Sequence, residues 1–363
     1  MKAWTCILLC FLTLQLNGQS VGLQGQASLW AVMNNREQSQ AGLRYIPDLS
    51  VETSLSEKWM LDSELACQAA QWWNFDVLKY RTEDNKLKPY RLWLRLSADQ
   101  FEARLGLQKI NFGSARLLRP LMWFDRLDPR DPLQLTEGVY GLLFRYTFLN
   151  NANIWAWALY GNDALKGYEV LASKKKRPEY GGRIQIPVKS GEMALSFHHR
   201  EVEIIDASEN RVAVDGRWDI EIGLWFEVAM THLRPEIIPE YVQTLGTLGM
   251  DYTIGLGNGL FCQAEHFTLQ VSEDWFGPGT TRKLTAVSLN YPFGLMDNLS
   301  SILYYDWDTK DLYRYIDWQR TYDSWQIHLI GFWNPDRIQL IQFGSDPSLW
   351  VGKGIQLMIV FNH

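Results

Sequence analysis

The chain contains few cysteines and no paired metal-binding motif. Four cysteines occur in 363 residues, and two of them lie within the first twenty. Cys67 and Cys262 stand alone, without a Cys-x-x-Cys or mixed Cys/His cluster, so the sequence indicates no zinc or haem site and we expect no cofactor and no metal. One disulfide between these two residues and two free thiols both remain open alternatives.

Long apolar runs and helical periodicity are also missing. After residue 20 no stretch of 18 consecutive apolar residues occurs, so no transmembrane helix is predicted. The formal net charge of −6 gives no reason to expect a nucleic-acid partner. Apolar residues at helical spacing are nearly absent, which argues against a helical domain.

The first twenty residues have the composition of an export signal. Lys2 precedes the apolar stretch Trp4–Leu16, and Gly18-Gln19-Ser20 supplies small residues before a cleavage site. This three-part pattern predicts a secretory signal peptide over residues 1–20, which leaves 21–363 as one domain. The alternative is a buried N-terminal strand or helix.

Alternation of apolar and polar residues recurs along the rest of the chain. In 91–97 three leucines alternate with Arg91, Trp93 and Arg95, and in 101–108 Phe101 begins a similar pattern. The chain also holds 17 Trp, 16 Tyr and 16 Phe, and β-barrels place such rings at both membrane interfaces. Together with the export signal, this predicts an all-β, single antiparallel outer-membrane barrel. An aromatic-rich soluble β-protein is the alternative.

The spacing of turns predicts sixteen to eighteen strands. In Arg211–Thr231 the apolar residues stay on the same alternate positions over a stretch that is too long for one membrane-spanning strand. Either this stretch projects beyond the bilayer or it contains a turn near Asp215-Gly216 or Asp219. Arg337–Phe343 is a second doubtful strand. Short connections are expected at 98–100, 150–152 and 189–191, and longer ones at 76–89, 114–138 and 162–177, which is the pattern of short periplasmic turns and longer extracellular loops.

In such a barrel the apolar face meets lipid and the polar face lines a wet lumen. The predicted lumen-lining residues are Arg91, Arg95, Glu102, Arg104, Arg145 and Arg183.

The segment RLGLQKINFGSARLLRP, Arg104–Pro120, carries a family resemblance. Its R-x-G-x-Q strand, followed by an aromatic-Gly pair and a long loop, is similar to the substrate-selective and alginate-export-type porins of Gram-negative outer membranes. The local match covers fewer than twenty residues, whereas the architecture matches the whole chain after the signal. The resemblance implies passive transport through the barrel and identifies no solute.

The predicted loop 114–138 follows the fifth strand and holds four basic and four acidic residues. A loop of this length in a compact domain is usually functional. We expect it to fold inward and narrow the pore, with opposed charges that sort solutes. The predicted constriction residues are Arg116, Arg119, Asp125, Arg126, Asp128, Arg130 and Asp131. Alternatively, these charges pair among themselves and only tether the loop.

These observations predict a porin for small hydrophilic solutes, embedded in outer-membrane lipid and able to form a homo-oligomer. The alternative is a non-transport barrel that serves as an assembly factor or as the anchor of a surface or secretion complex. A barrel hydrolase is a weaker rival. His198 and His199 are adjacent in a strand and therefore point to opposite faces, and no serine has a nucleophile motif around it. We therefore expect no enzymatic activity.

Overall fold

The computed structural model describes residues 19–76, 79–203, 207–234, 242–275, 277–336 and 347–363. Most of the predicted signal peptide and the whole of the doubtful strand Arg337–Phe343 lie outside these residues. The first strand begins at Gln19, two residues before the predicted start of the mature chain.

Eighteen antiparallel strands in the described residues form one closed sheet. The first nine are β1 Gln19–Asn34, β2 Gln38–Ser54, β3 Met60–Asp76, β4 Lys79–Ser97, β5 Phe101–Gln108, β6 Val139–Thr147, β7 Asn153–Leu159, β8 Glu179–Val188 and β9 Gly191–Glu201. The others are β10 Ser208–Asp219, β11 Gly223–Arg234, β12 Val242–Ile254, β13 Leu260–Ser272, β14 Gly279–Pro292, β15 Asp297–Asp306, β16 Leu312–Thr321, β17 Trp325–Trp333 and β18 Lys353–Asn362.

The barrel closes between its first and last strands. β1 pairs with β2 on one side and with β18 on the other, with Ala27 opposite Phe361. The amide of Gly25 donates to the carbonyl of His363 at 2.9 Å, which continues the ladder past the end of β18. Closure leaves no free edge along this seam, which is what a sheet needs inside lipid.

The strand count is the upper value of the predicted range. The long alternating stretch 211–231 contains a turn, because β10 ends at Asp219 and β11 begins at Gly223. The predicted turn near Asp219 is confirmed, whereas Asp215-Gly216 lies inside β10 and makes no turn.

The barrel is apolar on the outside and charged on the inside. In β10, Val212 and Val214 are exposed, while Glu209, Arg211 and Asp215 are buried. This reverses the pattern of a soluble β-protein and is the arrangement expected where the outer face meets lipid. The alternation predicted from the sequence is therefore confirmed as a barrel pattern.

Connections at the two ends of the barrel differ in length. At one end every connection has two to five residues, including those at 98–100, 148–152 and 189–190. The other end carries the long connections 109–138 and 160–178. The described residues between β17 and β18 include a short 3₁₀ helix, Pro347–Trp350. No helix in the described residues is long and apolar enough to cross a membrane.

One predicted loop is wrong. Residues 76–89 were expected to form a long connection, but β3 runs to Asp76 and β4 begins at Lys79. The first part of β4, before Leu92, pairs with β3 alone among the described strands, since the pairing of β4 with β5 begins at Leu92. Its side chains are largely exposed on both faces, so polar residues occupy both and the alternation disappears.

Candidate functional site

The connection 109–138, called here loop 3, leaves β5 and contacts strands far around the barrel. The amide of Ala115 donates to Glu227 on β11 at 2.7 Å, and the amide of Leu118 donates to Glu265 on β13 at 2.6 Å. The Thr247 hydroxyl on β12 donates to the Leu118 carbonyl at 2.6 Å. Strands β11 to β13 lie six to eight places from β5 in the closed order of eighteen.

Loop 3 has an apolar body that packs against side chains of the wall strands. The buried members of this body are Leu117, Leu118, Leu121, Met122, Trp123 and Phe124. Phe124 contacts Trp157 on β7, with ring centroids 5.3 Å apart, and His198 on β9, with centroids 5.1 Å apart. Burial of this body replaces water with side-chain packing, and each such aromatic contributes strongly to that packing.

Four of the predicted constriction residues pair with one another. Arg119 and Asp125 form a buried ion pair at 3.2 Å. The guanidinium of Arg130 makes a two-pronged contact with Asp128, at 2.9 Å from Nε to Oδ1 and 2.7 Å from Nη2 to Oδ2. Arg130 also lies 5.0 Å from the centre of the Trp350 ring. These charges hold the fold of loop 3 and contact its surroundings.

The other three predicted constriction residues make fewer contacts. Arg116 is exposed, and Arg126 donates to the carbonyl of Gly167 at 3.4 Å while its Nε has no hydrogen-bond partner. Asp131 accepts a hydrogen bond from the amide of Leu133 at 3.1 Å. Burial raises the pKa of Asp131 above its ordinary value, although the nearby Arg44 guanidinium acts in the opposite direction.

The predicted lumen-lining residues on β4 to β6 form a row of charges. Arg95 pairs with Asp62 on β3 at 2.6 Å, and Glu102 lies 3.0 Å from Arg104 and 3.9 Å from Arg145. Three guanidiniums thus share two carboxylates. The Glu64 carboxylate on β3 also acts electrostatically on Arg104, so the three guanidiniums have three carboxylates around them.

Tryptophan rings hold two of these arginines in place. Arg104 lies 4.7 Å from the centre of the Trp93 ring, and Arg145 lies 3.8 Å from that of Trp155. A guanidinium over an aromatic face is attracted by the ring and keeps its donors at the edge of the stack.

The remaining two predicted lumen residues are buried in contacts of their own. Arg91 donates to the carbonyl of Thr136 at 3.0 Å and so ties the end of loop 3 to β4. Arg183 on β8 makes a buried ion pair with Asp215 on β10 at 2.6 Å. Both therefore connect parts of the protein rather than standing free.

The structure brings three residues to this region that the sequence pattern did not single out. Glu227 and Glu265 are buried wall carboxylates bound by loop 3. Arg44 lies on β2, and its Nε and Nη2 atoms have no hydrogen-bond partner. Arg44 stands between Leu43 and Tyr45, which are exposed, so the alternation would have placed it on the inner face.

Two open cavities border loop 3, and Arg130, Asp131 and Pro132 line both. One has a volume of about 850 Å³ and reaches residues near the short turns, such as Asn290. The other has a volume of about 730 Å³ and reaches Lys86 and Lys88 at the long-loop end, where both lysines pair with Glu137.

The histidine pair diverges as the strand geometry predicts. His198 is fully buried, receives a hydrogen bond from Trp157 at 3.1 Å and lies 3.2 Å from Glu179. His199 faces the other way and packs on the Tyr180 ring. The two imidazoles therefore do not share a site.

Two further predictions concern metals and thiols. Cys67 and Cys262 are free thiols in the structure, which decides between the two alternatives for this pair. Within the described ranges no group of three or more His, Cys, Asp or Glu side chains is arranged to hold a metal ion.

Comparison with known proteins finds similarity only in structure. No family model and no curated protein sequence matches the chain. OccAB1 from Acinetobacter baumannii matches with a TM-score of 0.58 at 8% identity and 96% coverage of both chains. An anion-selective porin from Comamonas acidovorans matches with a TM-score of 0.53 at 11% identity, covering 95% of this chain and all of that one.

A third similar structure is the trimer form of OmpT from Vibrio cholerae, with a TM-score of 0.50 at 10% identity, covering 96% of this chain and 100% of that one. At these identities the likeness concerns the fold. The charged interior, the apolar exterior and the closed sheet agree with it, so this chain has the β-barrel fold of Gram-negative outer-membrane porins.

Proposed function

We propose that the protein is a passive outer-membrane channel for small hydrophilic solutes, in which loop 3 folds inward and narrows the pore. The observation that carries the proposal is the binding of loop 3 to Glu227, Thr247 and Glu265, which lie on wall strands far from its origin. Cavities on two sides of the same loop residues support a passage that continues past it.

The charges beside this passage support a preference for anions. In the cavity that Asp131 also lines, the guanidiniums of Arg44 and Arg126 have Nε atoms without a hydrogen-bond partner. Fixed charges at a narrow point select solutes by sign. The seven predicted constriction residues thus divide into two buried pairs and the less constrained Arg116, Arg126 and Asp131.

Single-channel recording in planar bilayers tests the proposal. The refolded protein is expected to conduct steadily, and a KCl gradient is expected to give a reversal potential of anionic sign. Arg44→Gln and Arg126→Gln should each lower the anion preference. Arg177→Gln is the matched control, because Arg177 is an exposed arginine that pairs with Glu201 and lines neither cavity.

The same recordings can also contradict the proposed channel function. No steady conductance would support the alternative of a non-transport barrel that anchors a surface or secretion complex. Conductance with equal ion selectivity in all four proteins would refute the assignment of the constriction.

Two finer parts of the proposal need separate tests. We propose that residues 1–20 are a signal peptide, which N-terminal sequencing of the exported protein tests directly. Cleavage there would remove Gln19 and Ser20 from β1, which face Thr53 and Glu52 on β2. We also propose a homo-oligomer in the membrane, which mass measurement of the protein extracted in mild detergent tests.

A further inference from the structure

Two buried carboxylates on the wall bind loop 3 through its backbone. Glu227 on β11 and Glu265 on β13 are almost fully buried, at 0% and 1% exposure. Among the described residues no lysine, arginine or histidine lies within ion-pair distance of either carboxylate. Burying an unpaired carboxylate costs free energy unless hydrogen bonds compensate it, so the hydrogen bonds to these two groups are needed for the stability of this region.

Consecutive amides of loop 3 surround Glu265. Its Oε1 accepts from the amide of Arg116 at 2.7 Å and from the side chain of Gln263 at 2.9 Å. Its Oε2 accepts from the amides of Leu117 at 3.0 Å and Leu118 at 2.6 Å. Successive backbone N–H groups that converge on one anion form a nest, a recurrent way of binding negative charge.

Glu227 holds the same loop segment from a neighbouring position. Its Oε1 accepts from the amide of Ala115 at 2.7 Å, and its Oε2 accepts more weakly from that of Leu121 at 3.4 Å. Gly113 adopts a φ of 93°, and a Cβ there would collide with Oε1 of Glu227. The close approach of the backbone to this carboxylate therefore needs glycine.

We propose that Glu227 and Glu265 are positioning residues that fix where loop 3 lies and thereby set the size of the opening. This inference rests on the proposed channel function. Each carboxylate oxygen can accept from several donors, whereas the NH₂ group of an amide side chain accepts from none. Charge-assisted hydrogen bonds of this kind are stronger than neutral ones, so the two groups restrain the loop better than neutral replacements.

Amide hydrogen exchange of residues 115–121, followed by mass spectrometry on the refolded protein in detergent, tests the restraint directly. The variants are Glu227→Gln and Glu265→Gln. In either orientation the new amide places NH₂ against at least one loop N–H, so exchange should be faster by about tenfold or more. Glu201→Gln is the control, because Glu201 pairs with Lys174 and Arg177 and does not bind loop 3.

Single-channel recording supplies the readout that a purely structural role would leave unchanged. Both Gln variants should show larger open-channel current fluctuations than the wild type and the control, because a freed loop samples several positions. Heat-modifiable migration in gels first verifies that each barrel is folded. If a single Gln variant fails to fold, the other one alone decides the result.

The two readouts separate this inference from the proposed function. If the wild-type protein does not conduct, but its 115–121 amides are protected and the Gln variants release them, the channel function fails and the restraint stands. If exchange in folded Gln variants equals that of Glu201→Gln, the positioning role is refuted whatever the conductance. Faster exchange with unchanged current fluctuations would refute the link between these residues and the opening.

Discussion

Replacement of Arg130 by methionine should loosen the fold of the middle of loop 3. The Arg130 side chain is 1% exposed and donates three hydrogen bonds to Asp128, whose side chain is 15% exposed. Removing one partner of a buried ion pair costs about 3–5 kcal/mol. Because water still reaches part of Asp128, the lower end of that range applies, or ~3 kcal/mol.

That free energy has a measurable counterpart in local opening. At about 1.4 kcal/mol per tenfold change, Arg130→Met should accelerate amide exchange across residues 126–136 roughly hundredfold. The measurement is hydrogen exchange on the folded barrel in detergent. Methionine keeps most of the apolar stem, so the change reports on the guanidinium and its contacts with Asp128, Tyr315 and Trp350 rather than on lost volume.

A second substitution identifies the cause of that acceleration. Asp128→Asn in the Arg130→Met background removes the uncompensated carboxylate, so part of the protection should return. Acceleration of less than about threefold in the single variant, with the barrel folded, would show that the pair does not hold the fold of loop 3.

Three further predictions concern other residues that are buried or line the cavities. Burial raises the pKa of Asp131, so on acidification this carboxylate should be neutralised at a higher pH than an ordinary aspartate. The anion preference, measured from reversal potentials, should therefore rise as the pH falls, and this rise should be absent in Asp131→Asn. Gly113→Ala should strain the backbone by ~1 kcal/mol or more and separate Glu227 from its amide partner, giving faster exchange at 115–121. Arg200→Leu should expose residues 166–173 to exchange, since the fully buried Arg200 pairs with Glu209 at 2.8 Å and with Glu169 at 3.3 Å; unchanged exchange would contradict that role.

Alternation predicted the barrel because each strand faces two different environments. Val212 and Val214 point to the outside, while Glu209 and Arg211 point inward, and a period of two follows from that geometry alone. The position of loop 3 after the fifth strand was also predicted correctly, since its proline and charge content interrupts the pattern clearly.

Alternation failed to predict a strand where its two faces do not meet different environments. Residues 79–90 of β4 lie beside β3 but, among the described residues, pair with no strand on the other side, and most of their side chains are exposed. Both faces are then wet, so the sequence KYRTEDNKLKPY resembles a loop. The alternation of apolar and polar residues that indicates a strand is lost wherever both faces of the strand contact water.

The carboxylates that hold loop 3 were beyond sequence reasoning for another reason. Glu265 is 147 residues from Leu118, and Glu227 is 112 residues from Ala115. A charged residue on an inward position of a barrel strand is ordinary, and only the folded chain shows which of them faces backbone donors rather than water. The local sequence pattern therefore predicts the strands of the wall, but it does not predict which wall residues contact loop 3.

The seam between β1 and β18 has a consequence for assembly. Gln26 donates to Asn362 across 336 positions of the chain, and the ladder joins the two ends of the sequence described here. Contacts of such high separation form slowly, because the loop-closure entropy is lost before the contact is made. Until this seam forms, β1 and β18 each present an open row of backbone donors and acceptors, so the barrel is most exposed to mispairing just before it closes.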